Sequence, residues 1–302
     1  MTRLKRNGWV SGIRHQGDAP RAILSQFFPP RPDDIYIASY PKSGATLMQM
    51  MLYQLTTDGA MNFPHIHAVA PSLDVAIMKR EVDYVSGLPS PRILKTHARW
   101  SDLSSNLEIS RGIYLIRHPG DVLISAYNHM KMQLGHAVAF DAVVNESFLE
   151  VPPWGTWREH TLSWWPHRAE PNVLFLCYED VVGDLSGTIT TVAAFLGLDL
   201  SLPLLRRVRE HCDIEFMREH QNKFDPRLHT ILWDDPKFIH RGESGRWEVE
   251  LEPHVQRMIE DELSRTADGL PSVEGEAFAR QWHGRNAPGD VAQRDDGAAG
   301  AR

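Results

Sequence analysis

Cysteine is scarce in this sequence, and so are long apolar runs. Only two cysteines occur among 302 residues, Cys177 and Cys212. Two thiols cannot build the disulfide framework of a small secreted domain, which favours a reducing compartment. No N-terminal segment is apolar over the length that a signal peptide or a membrane-spanning helix requires. We therefore predict a cytoplasmic protein that has no membrane partner.

An excess of positive charge is also missing, since the formal net charge is −7. General nucleic-acid binders carry broad basic surfaces, so we predict no nucleic-acid partner. Any positive charge that serves an anionic ligand must therefore be local. A clear cluster of metal-ligating residues is missing as well, and no metal site is predicted. The apolar content of 42% is nevertheless sufficient for a large core.

Residues 40–46, Y-P-K-S-G-A-T, have the layout of a phosphate site. This segment follows an apolar run at 35–38 and precedes apolar residues with helical spacing at 47–55. A strand, a tight turn and a helix in that order point backbone N–H groups and the positive end of a helix dipole at an anion. The predicted contacts of this site are Lys42, Ser43, Gly44, Ala45 and Thr46.

The order of the lysine and the glycine distinguishes this loop from the nucleoside-triphosphatase loop, G-x-x-x-x-G-K-[ST]. Here Lys42 precedes Gly44. A turn of this kind could also simply cap a helix. The segment resembles the 5′-phosphosulfate loop, Y-P-K-S-G-T-T-W, of the cytosolic-type sulfotransferases. Those enzymes transfer a sulfuryl group from 3′-phosphoadenosine 5′-phosphosulfate (PAPS) to an alcohol, a phenol or an amine, and the resemblance makes Lys42 a catalytic residue.

A second motif begins at Arg117, which ends a strand candidate and precedes a helical pattern. Arginine suits phosphate because its donors form a planar fork, although a surface arginine and a helix-capping Asp121 would give the same pattern. The stretch resembles the family's 3′-phosphate motif, R-N-P-x-D followed after three residues by a serine, with His118 in place of the asparagine. The resemblance implies that Arg117 and Ser125 bind the 3′-phosphate. It also implies that Ser125 holds Lys42 away from the bridging oxygen until both substrates are bound.

A third motif lies at 238–247, F-I-H-R-G-E-S-G-R-W. Two glycines three residues apart permit a turn that points backbone amides at phosphate, although an ordinary glycine-rich surface turn has the same composition. The segment resembles the family signature R-K-G-x-x-G-D-W. The resemblance assigns Arg241 and Gly242 to the 3′-phosphate and packs Trp247 behind the loop. His240 stands where a basic residue is usual and is a third predicted contact of the cofactor.

His97 follows a short strand candidate at 91–96. Ligands of α/β sheets bind beyond the C-terminal ends of the strands, and a histidine there can take a proton from an attacking hydroxyl. The chain has 15 histidines, so most of them must be structural or lie on the surface. The tripeptide K-T-H resembles the family's catalytic strand end, which makes His97 the general base. Lys95 then steadies the acceptor oxygen or the sulfuryl group, unless it is a solvated charge.

The predicted adenine pocket departs from the family pattern. Leu47 stands in place of a tryptophan, and Ile214 in place of a phenylalanine, in a stretch that resembles T-S-F-x-x-M. Aliphatic side chains can enclose a purine, but aromatic stacking, about 1–3 kcal/mol per base in other nucleic-acid sites, is lost or supplied elsewhere. By resemblance, the other contacts of the pocket are Tyr178, Cys212 and Met217.

Strands alternate with helical patterns along most of the chain, which favours a mainly parallel sheet with helices on both faces. We predict an α/β fold with a sulfotransferase domain at 31–266. An N-terminal arm at 1–30 precedes it, and a C-terminal extension at 267–302, disordered at its end, follows it. The length fits one large domain.

The motifs together predict a sulfotransferase with PAPS as co-substrate, adenosine 3′,5′-bisphosphate (PAP) as product, a histidine base and no metal. A nucleotide-dependent phosphotransferase is an alternative, but it needs a magnesium-holding carboxylate after a strand, and none is convincing. A non-catalytic PAPS-binding protein is another, which the presence of both Lys42 and His97 disfavours. Aromatic residues at 136–169 predict either a hydrophobic wall for a small-molecule acceptor or ordinary core packing. The oligomeric state is left open.

Overall fold

The protein folds around a four-stranded parallel sheet. The structure is a computed structural model, and the residues that it describes are 24, 27–134, 139–144, 154–225, 239, 242 and 244–283. The strands, in the spatial order β2-β1-β3-β4, are β1 (Ile35–Ser39), β2 (Ile93–Thr96), β3 (Arg111–Ile116) and β4 (Val173–Cys177). The predicted α/β fold with a mainly parallel sheet is confirmed.

Helices connect the strands and continue after the last one. Within the described residues they are α1 (Ala45–Thr56), α2 (Leu73–Lys79), α3 (Val82–Ser86), α4 (Trp100–Leu107), α5 (Pro119–Leu134), α6 (Phe140–Val143), α7 (Trp157–Trp164), α8 (Tyr178–Gly183), α9 (Leu185–Leu196), α10 (Leu202–His211), α11 (Ile214–Glu219), α12 (Trp247–Glu250), α13 (Pro253–Asp268) and α14 (Ser272–His283). Short 3₁₀ turns lie at Ile66–Ala68, Trp165–His167 and Gln221–Lys223.

Both faces of the sheet are covered, which explains why β1 is a continuous apolar run. All five residues of β1 are buried. Ile35 and Ile37 pack in a core cluster with side chains of α1, α9 and α10, whereas Tyr36 and Ala38 pack in a second cluster with side chains of α4, α5, α7 and α13. Strands that are buried on both faces do not alternate between apolar and polar residues.

The register brings the carboxyl ends of the strands to one edge of the sheet. Ala38 lies beside Thr96, Ser39 beside Leu115, and Ile116 beside Cys177. The residues that follow these strands are the loop at 40–44, His97, Arg117 and Tyr178. The parallel order therefore gathers segments that are far apart in the sequence, as expected for a ligand site of an α/β sheet.

A buried ion pair holds β2 to β1 at the opposite edge. Arg92 donates from Nε and Nη2 to the two carboxylate oxygens of Asp34, at 2.8 and 2.6 Å. Both side chains are almost completely buried, and the paired, two-point geometry is the strong form of this interaction. The strand that carries His97 is thus anchored at its start.

Helix α14 extends the packed structure past residue 266, the end of the predicted domain. It packs against α13, and its Phe278 and Trp282 are buried in the main core cluster. These side chains belong to the same core as the sheet. The predicted arm, apart from residues 24 and 27–30, and the end of the predicted extension, residues 284–302, lie outside the described residues.

Candidate active site

The loop between β1 and α1 has an unusual backbone. Lys42 and Gly44 adopt left-handed conformations, with φ of 70° and 96°. A Cβ on Gly44 would lie 2.3 Å from Cδ2 of Tyr178, so a larger residue would collide with that ring. A non-glycine residue with positive φ, such as Lys42, is uncommon, and such conformations cluster at functional sites.

The start of α1 has the free donors that an anion needs. Gly44 is the N-cap, and no side chain caps the helix. The first N–H groups of a helix have no partner within the helix. Ser43 Oγ is fully buried and has no hydrogen-bond partner among the described residues, although buried hydroxyls nearly always have one. A phosphate or sulfate group at this point would accept hydrogen bonds from both, so the residues present fit the phosphosulfate of PAPS.

Three cationic side chains influence one another beside this loop. Burial, reinforced by the positive charges of Lys95 and Arg117, lowers the pKa of Lys42 to about 7. Burial also lowers the pKa of Lys95, and the carboxylate of Asp74 raises it in part. Positive charges that lie close together repel one another, and a bound anion offsets this repulsion. The arrangement therefore indicates an anionic ligand.

Arg117 connects the phosphosulfate loop with the second motif. Its Nη1 donates to the carbonyl oxygen of Lys42 at 3.2 Å. Its guanidinium lies over the ring of Tyr178, 4.3 Å from the centroid. Tyr178 therefore contacts Arg117 and also limits residue 44 to glycine. One aromatic ring thus helps to set the distance between the two predicted phosphate sites.

His118, which replaces the asparagine of the 3′-phosphate motif that the sequence resembles, caps the start of α5. Its Nδ1 accepts a hydrogen bond from the N–H of Gly120 at 3.2 Å, as an asparagine oxygen would. The ring stacks on Trp247, with centroids 4.5 Å apart. Burial, followed by the charge of Arg117, lowers the pKa of His118 to about 3. His118 is a neutral cap in this structure.

Asp121 joins the second and third motifs. Its carboxylate accepts hydrogen bonds from the N–H groups of Gly245, at 2.7 Å, and Trp247, at 3.4 Å. The aspartate therefore holds the glycine-rich segment against the first turn of α5. Ser125 lies one turn further along α5 and is partly exposed, and its role remains a prediction.

The third motif also meets the predicted adenine pocket. Gly242 has a φ of 68°, and a Cβ there would lie 2.9 Å from Cδ1 of Ile214. Two predicted contacts, His240 and Arg241, lie outside the described residues. Leu47 is partly exposed at the edge of one core cluster. The side chains of Cys212 and Met217 are buried inside that cluster, so their predicted contact with the nucleotide stays a prediction.

His97 is held on three sides. Its Nδ1 donates to the carbonyl oxygen of Ser39 at 2.7 Å, which leaves Nε2 as the basic nitrogen. Its backbone N–H donates to Asp74 at 3.0 Å, and its carbonyl accepts from Nε2 of His160 at 3.2 Å. Burial, followed by the positive charge of Lys95, lowers the pKa of His97 well below its usual value. The imidazole is therefore neutral and can accept a proton.

This geometry agrees with the sequence comparison. Residues 32–270 match the family described as Sulfotransferase domain. The chain belongs to this family. Human Sulfotransferase 4A1 is 34% identical to it in an alignment of 193 residues that covers 61% of this chain and 67% of that protein. The prediction of a sulfotransferase is confirmed.

Two solved structures share the fold of this sulfotransferase. Retinol dehydratase, in complex with androsterone and the inactive cofactor PAP, matches with a TM-score of 0.67 and 25% identity, over 79% of this chain and 81% of that one. Mouse sulfotransferase SULT7A1, complexed with PAP, matches with a TM-score of 0.66 and 20% identity, over 87% of this chain and 94% of that one. The second likeness concerns the fold alone.

The sequence analysis missed the residues that support His97 in this sulfotransferase. Asp74, in the first turn of α2, accepts the His97 N–H, and Trp154 contacts the His97 ring edge to face with centroids 5.2 Å apart. His160 Nδ1 accepts a hydrogen bond from the hydroxyl of Tyr114 at 3.0 Å. No local pattern marks these residues, because their partners lie tens of residues away in the sequence.

The described residues of this sulfotransferase contain neither a membrane-spanning helix nor a metal-binding cluster. None of the helices there combines the length and the apolar character needed to cross a bilayer. Within the same ranges, no group of three or more His, Cys, Asp or Glu side chains is placed to hold a metal ion. Cys177 and Cys212 are both buried, and neither forms a disulfide in this part of the chain.

Proposed function

We propose that this sulfotransferase transfers the sulfuryl group of PAPS to a hydroxyl or an amine of a small, hydrophobic acceptor and releases PAP. The observation that carries the proposal is the anion site at the start of α1. There a buried, unsatisfied Ser43 hydroxyl and the open helix N-terminus lie beside Lys42, whose pKa is lowered by burial and by its cationic neighbours. PAPS as donor and PAP as product agree with the family and with the PAP in the structure of retinol dehydratase.

Proton transfer is assigned to His97. Its Nδ1–H is fixed on Ser39, so Nε2 takes the acceptor's proton while the acceptor oxygen or nitrogen forms its bond to sulfur. Lys42 stabilises the negative charge that grows on the bridging oxygen as the bond between that oxygen and sulfur breaks. Lys95 steadies the oxygens of the group in transfer. PAP leaves with the electron pair of the broken bond, and the charges balance without a further reactant.

The 3′-phosphate is assigned to Arg117, Ser125, Arg241 and Gly242. Support comes from Asp121, which draws the segment of Gly242 and Gly245 to the start of α5. The adenine is assigned to Tyr178, Leu47 and Ile214, and Ile214 packs beside Gly242. The nucleotide would then contact the ends of β1, β3 and β4, and the acceptor the end of β2.

A hydrophobic acceptor is supported by Trp154, whose indole contacts the ring of His97. An aromatic wall beside the base would bury the apolar part of an alcohol or a phenol. We also propose that the protein works in the cytoplasm, since both cysteines are buried thiols without a disulfide.

An acceptor screen tests the proposed function. The protein is incubated with PAPS and a panel of phenols, aliphatic alcohols and amines, and products are detected by the mass of an added sulfuryl group. Transfer should require PAPS and persist in the presence of a chelator, whereas a magnesium-dependent phosphotransferase would lose activity. Adenosine 5′-phosphosulfate is the matched donor control, because it lacks only the 3′-phosphate. Absence of transfer to every acceptor, with tight PAP binding, would favour a non-catalytic PAPS-binding protein.

A further inference from the structure

Asp74 lies at the centre of a hydrogen-bond network around the end of β2. One carboxylate oxygen accepts from the backbone N–H of His97 at 3.0 Å. The other accepts from the indole N–H of Trp154 at 3.3 Å and from the hydroxyl of Thr96 at 3.5 Å. The three donors come from two segments that are separated by more than fifty residues, and α2 contributes the aspartate. The network therefore joins β2, α2 and the start of the segment that leads into α7.

The carboxylate of Asp74 is engaged by the protein itself. Both of its oxygens already accept hydrogen bonds, so neither is left open as the main contact of an acceptor hydroxyl or amine. Its position in the first turn of α2 also favours a negative charge. A carboxylate that accepts several hydrogen bonds fixes the geometry of their donors. Asp74 therefore acts through the groups that it holds.

The backbone brings Lys95 beside the start of α2, because its N–H donates to the carbonyl oxygen of Pro71 at 2.9 Å and Lys95 pairs with Ser72 across an isolated parallel bridge. Burial lowers the pKa of Lys95, and the negative charge of Asp74 raises it in part. The pKa of Asp74 itself is raised by burial, and the charge of Lys95 lowers it in part. Burial and the positive charges of Lys95 and Lys42 lower the pKa of His97, and its neighbour His160 is a buried, neutral histidine. Asp74 is thus the negative partner within a cluster of basic groups.

We propose that Asp74 is a positioning residue for sulfuryl transfer, which holds His97 through its backbone N–H and Trp154 through its indole and serves as the counter-charge that keeps Lys95 protonated. The inference rests on the proposed function for the chemical role of His97 and Lys95. The hydrogen bonds and the charge relation to Lys95 do not depend on that function. Asp74 acts through these residues and makes no contact with the reacting atoms in this account.

The counter-charge is tested by NMR, without any turnover. The chain has seven lysines, so carbon-13 labelling at lysine Cε gives a spectrum that can be assigned, and Lys95→Arg identifies the Lys95 signal. In Asp74→Asn we expect the pKa of Lys95 to fall by about 1 or more, because an opposite charge close by is lost. Asp83→Asn is the matched control, since Asp83 is an exposed residue in the first turn of α3. An unchanged pKa of Lys95 in Asp74→Asn would overturn the proposal.

The positioning role is tested by kinetics and by binding. With the best acceptor of the screen, Asp74→Asn should lower kcat about tenfold to a hundredfold, while calorimetry gives a Kd for PAP within about twofold of the wild type. Its kcat should also decline at lower pH than that of the wild type, because Lys95 deprotonates earlier. Asp74→Glu keeps the charge and should recover part of the turnover and most of the Lys95 pKa. Retained PAP binding shows that each variant is folded.

The results separate this inference from the proposed function. If the wild type transfers no sulfuryl group to any acceptor, the proposed function fails, and the NMR titration still decides whether Asp74 is the counter-charge of Lys95. If the wild type is active and Asp74→Asn turns over normally, the positioning role is wrong. Equal losses of PAP affinity and turnover, without a shift of the pH profile, would mean that Asp74 only supports the fold.

Discussion

At the scale of single residues, the chemistry depends on two groups whose pKa values are both lowered. Burial and the charges of Lys95 and Arg117 lower the pKa of Lys42 to about 7, and burial lowers that of His97 well below its usual value. At neutral pH His97 is therefore a neutral base. Lys42 is partly deprotonated until a bound anion favours its charged form.

Affinity for PAP should fall as the pH rises from about 7 to about 9, because Lys42 loses its proton in that range. Bound nucleotide raises the pKa of Lys42, so kcat should persist to higher pH than kcat/KM for PAPS. Calorimetry of PAP binding at several pH values measures the effect, and Lys42→Met should show a weaker pH dependence. A wild-type affinity that does not vary with pH in this range would remove Lys42 from the anion site.

Replacing His97 by glutamine should lower turnover about a hundredfold or more, the usual contribution of a general base. PAP affinity should change little, because His97 lies at the end of β2 on the acceptor side. His254→Gln is the control, since His254 is exposed on α13. Near-normal turnover of His97→Gln with the best acceptor would show that another group takes the proton.

At the scale of the elements, the site is built where the start of α5 meets the glycine-rich segment before α12. Asp121 accepts the N–H groups of Gly245 and Trp247, and His118 stacks on Trp247. The two motifs assigned to the 3′-phosphate are thus held as one unit. This contact spans more than a hundred residues of sequence.

Asp121→Asn should weaken PAP binding by about tenfold, because one charge-assisted hydrogen bond is worth about 1.5–3 kcal/mol and an amide replaces it only in part. Binding of adenosine 5′-phosphosulfate, which lacks the 3′-phosphate, should change much less. Calorimetry with both ligands measures the difference, and Asp268→Asn, an exposed aspartate on α13, is the control. Equal weakening of both ligands would contradict a specific role of Asp121 at the 3′-phosphate.

The sequence predicted the elements better than their contacts. Strand β1, the loop at Lys42 and helix α1 follow from local patterns of apolar residues, glycine and charge, and the sequence predicts each close to its observed position. Asp121 was read as a possible cap of its own helix, but its carboxylate binds a segment far away. The contacts of Asp74 could not be predicted for the same reason, since tertiary packing alone decides them.

At the scale of the whole molecule, the neutral buried histidines connect the site with stability. Burial lowers the pKa values of His118 and His160 to about 3. Below about pH 6.5 these two histidines bind protons in the unfolded chain but stay neutral in the native state. The free energy of unfolding therefore falls as the pH decreases towards 3. Acid should therefore loosen the packing behind Arg117 and His97.

His118→Asn should lose less stability in acid than the wild type. Asparagine can still accept the N–H of Gly120 but does not titrate, so its loss of unfolding free energy between about pH 7 and about pH 5 should be smaller by about 2 kcal/mol. Urea denaturation at both pH values measures this difference. The same pH dependence in His118→Asn and in the wild type would show that His118 is protonated without cost in the folded state.

The central claim is that the loop at 40–44 is a catalytic site for sulfuryl transfer and that Lys42 meets the charge that grows on the bridging oxygen. A stabilising group of this kind acts mainly in the transition state, so its loss should reduce turnover more than ground-state affinity. Lysine should also work better than arginine, because a compact ammonium can follow a developing charge more closely than a planar guanidinium.

The most direct test compares kcat at saturating PAPS with the Kd for PAPS in the wild type, Lys42→Met and Lys42→Arg. For Lys42→Met the account predicts a loss of about 10²–10³ in kcat and a smaller loss in affinity, with Lys42→Arg in between. If Lys42→Met bound PAPS far more weakly but turned over normally at saturation, Lys42 would only bind the nucleotide, and the catalytic role assigned to this loop would be contradicted.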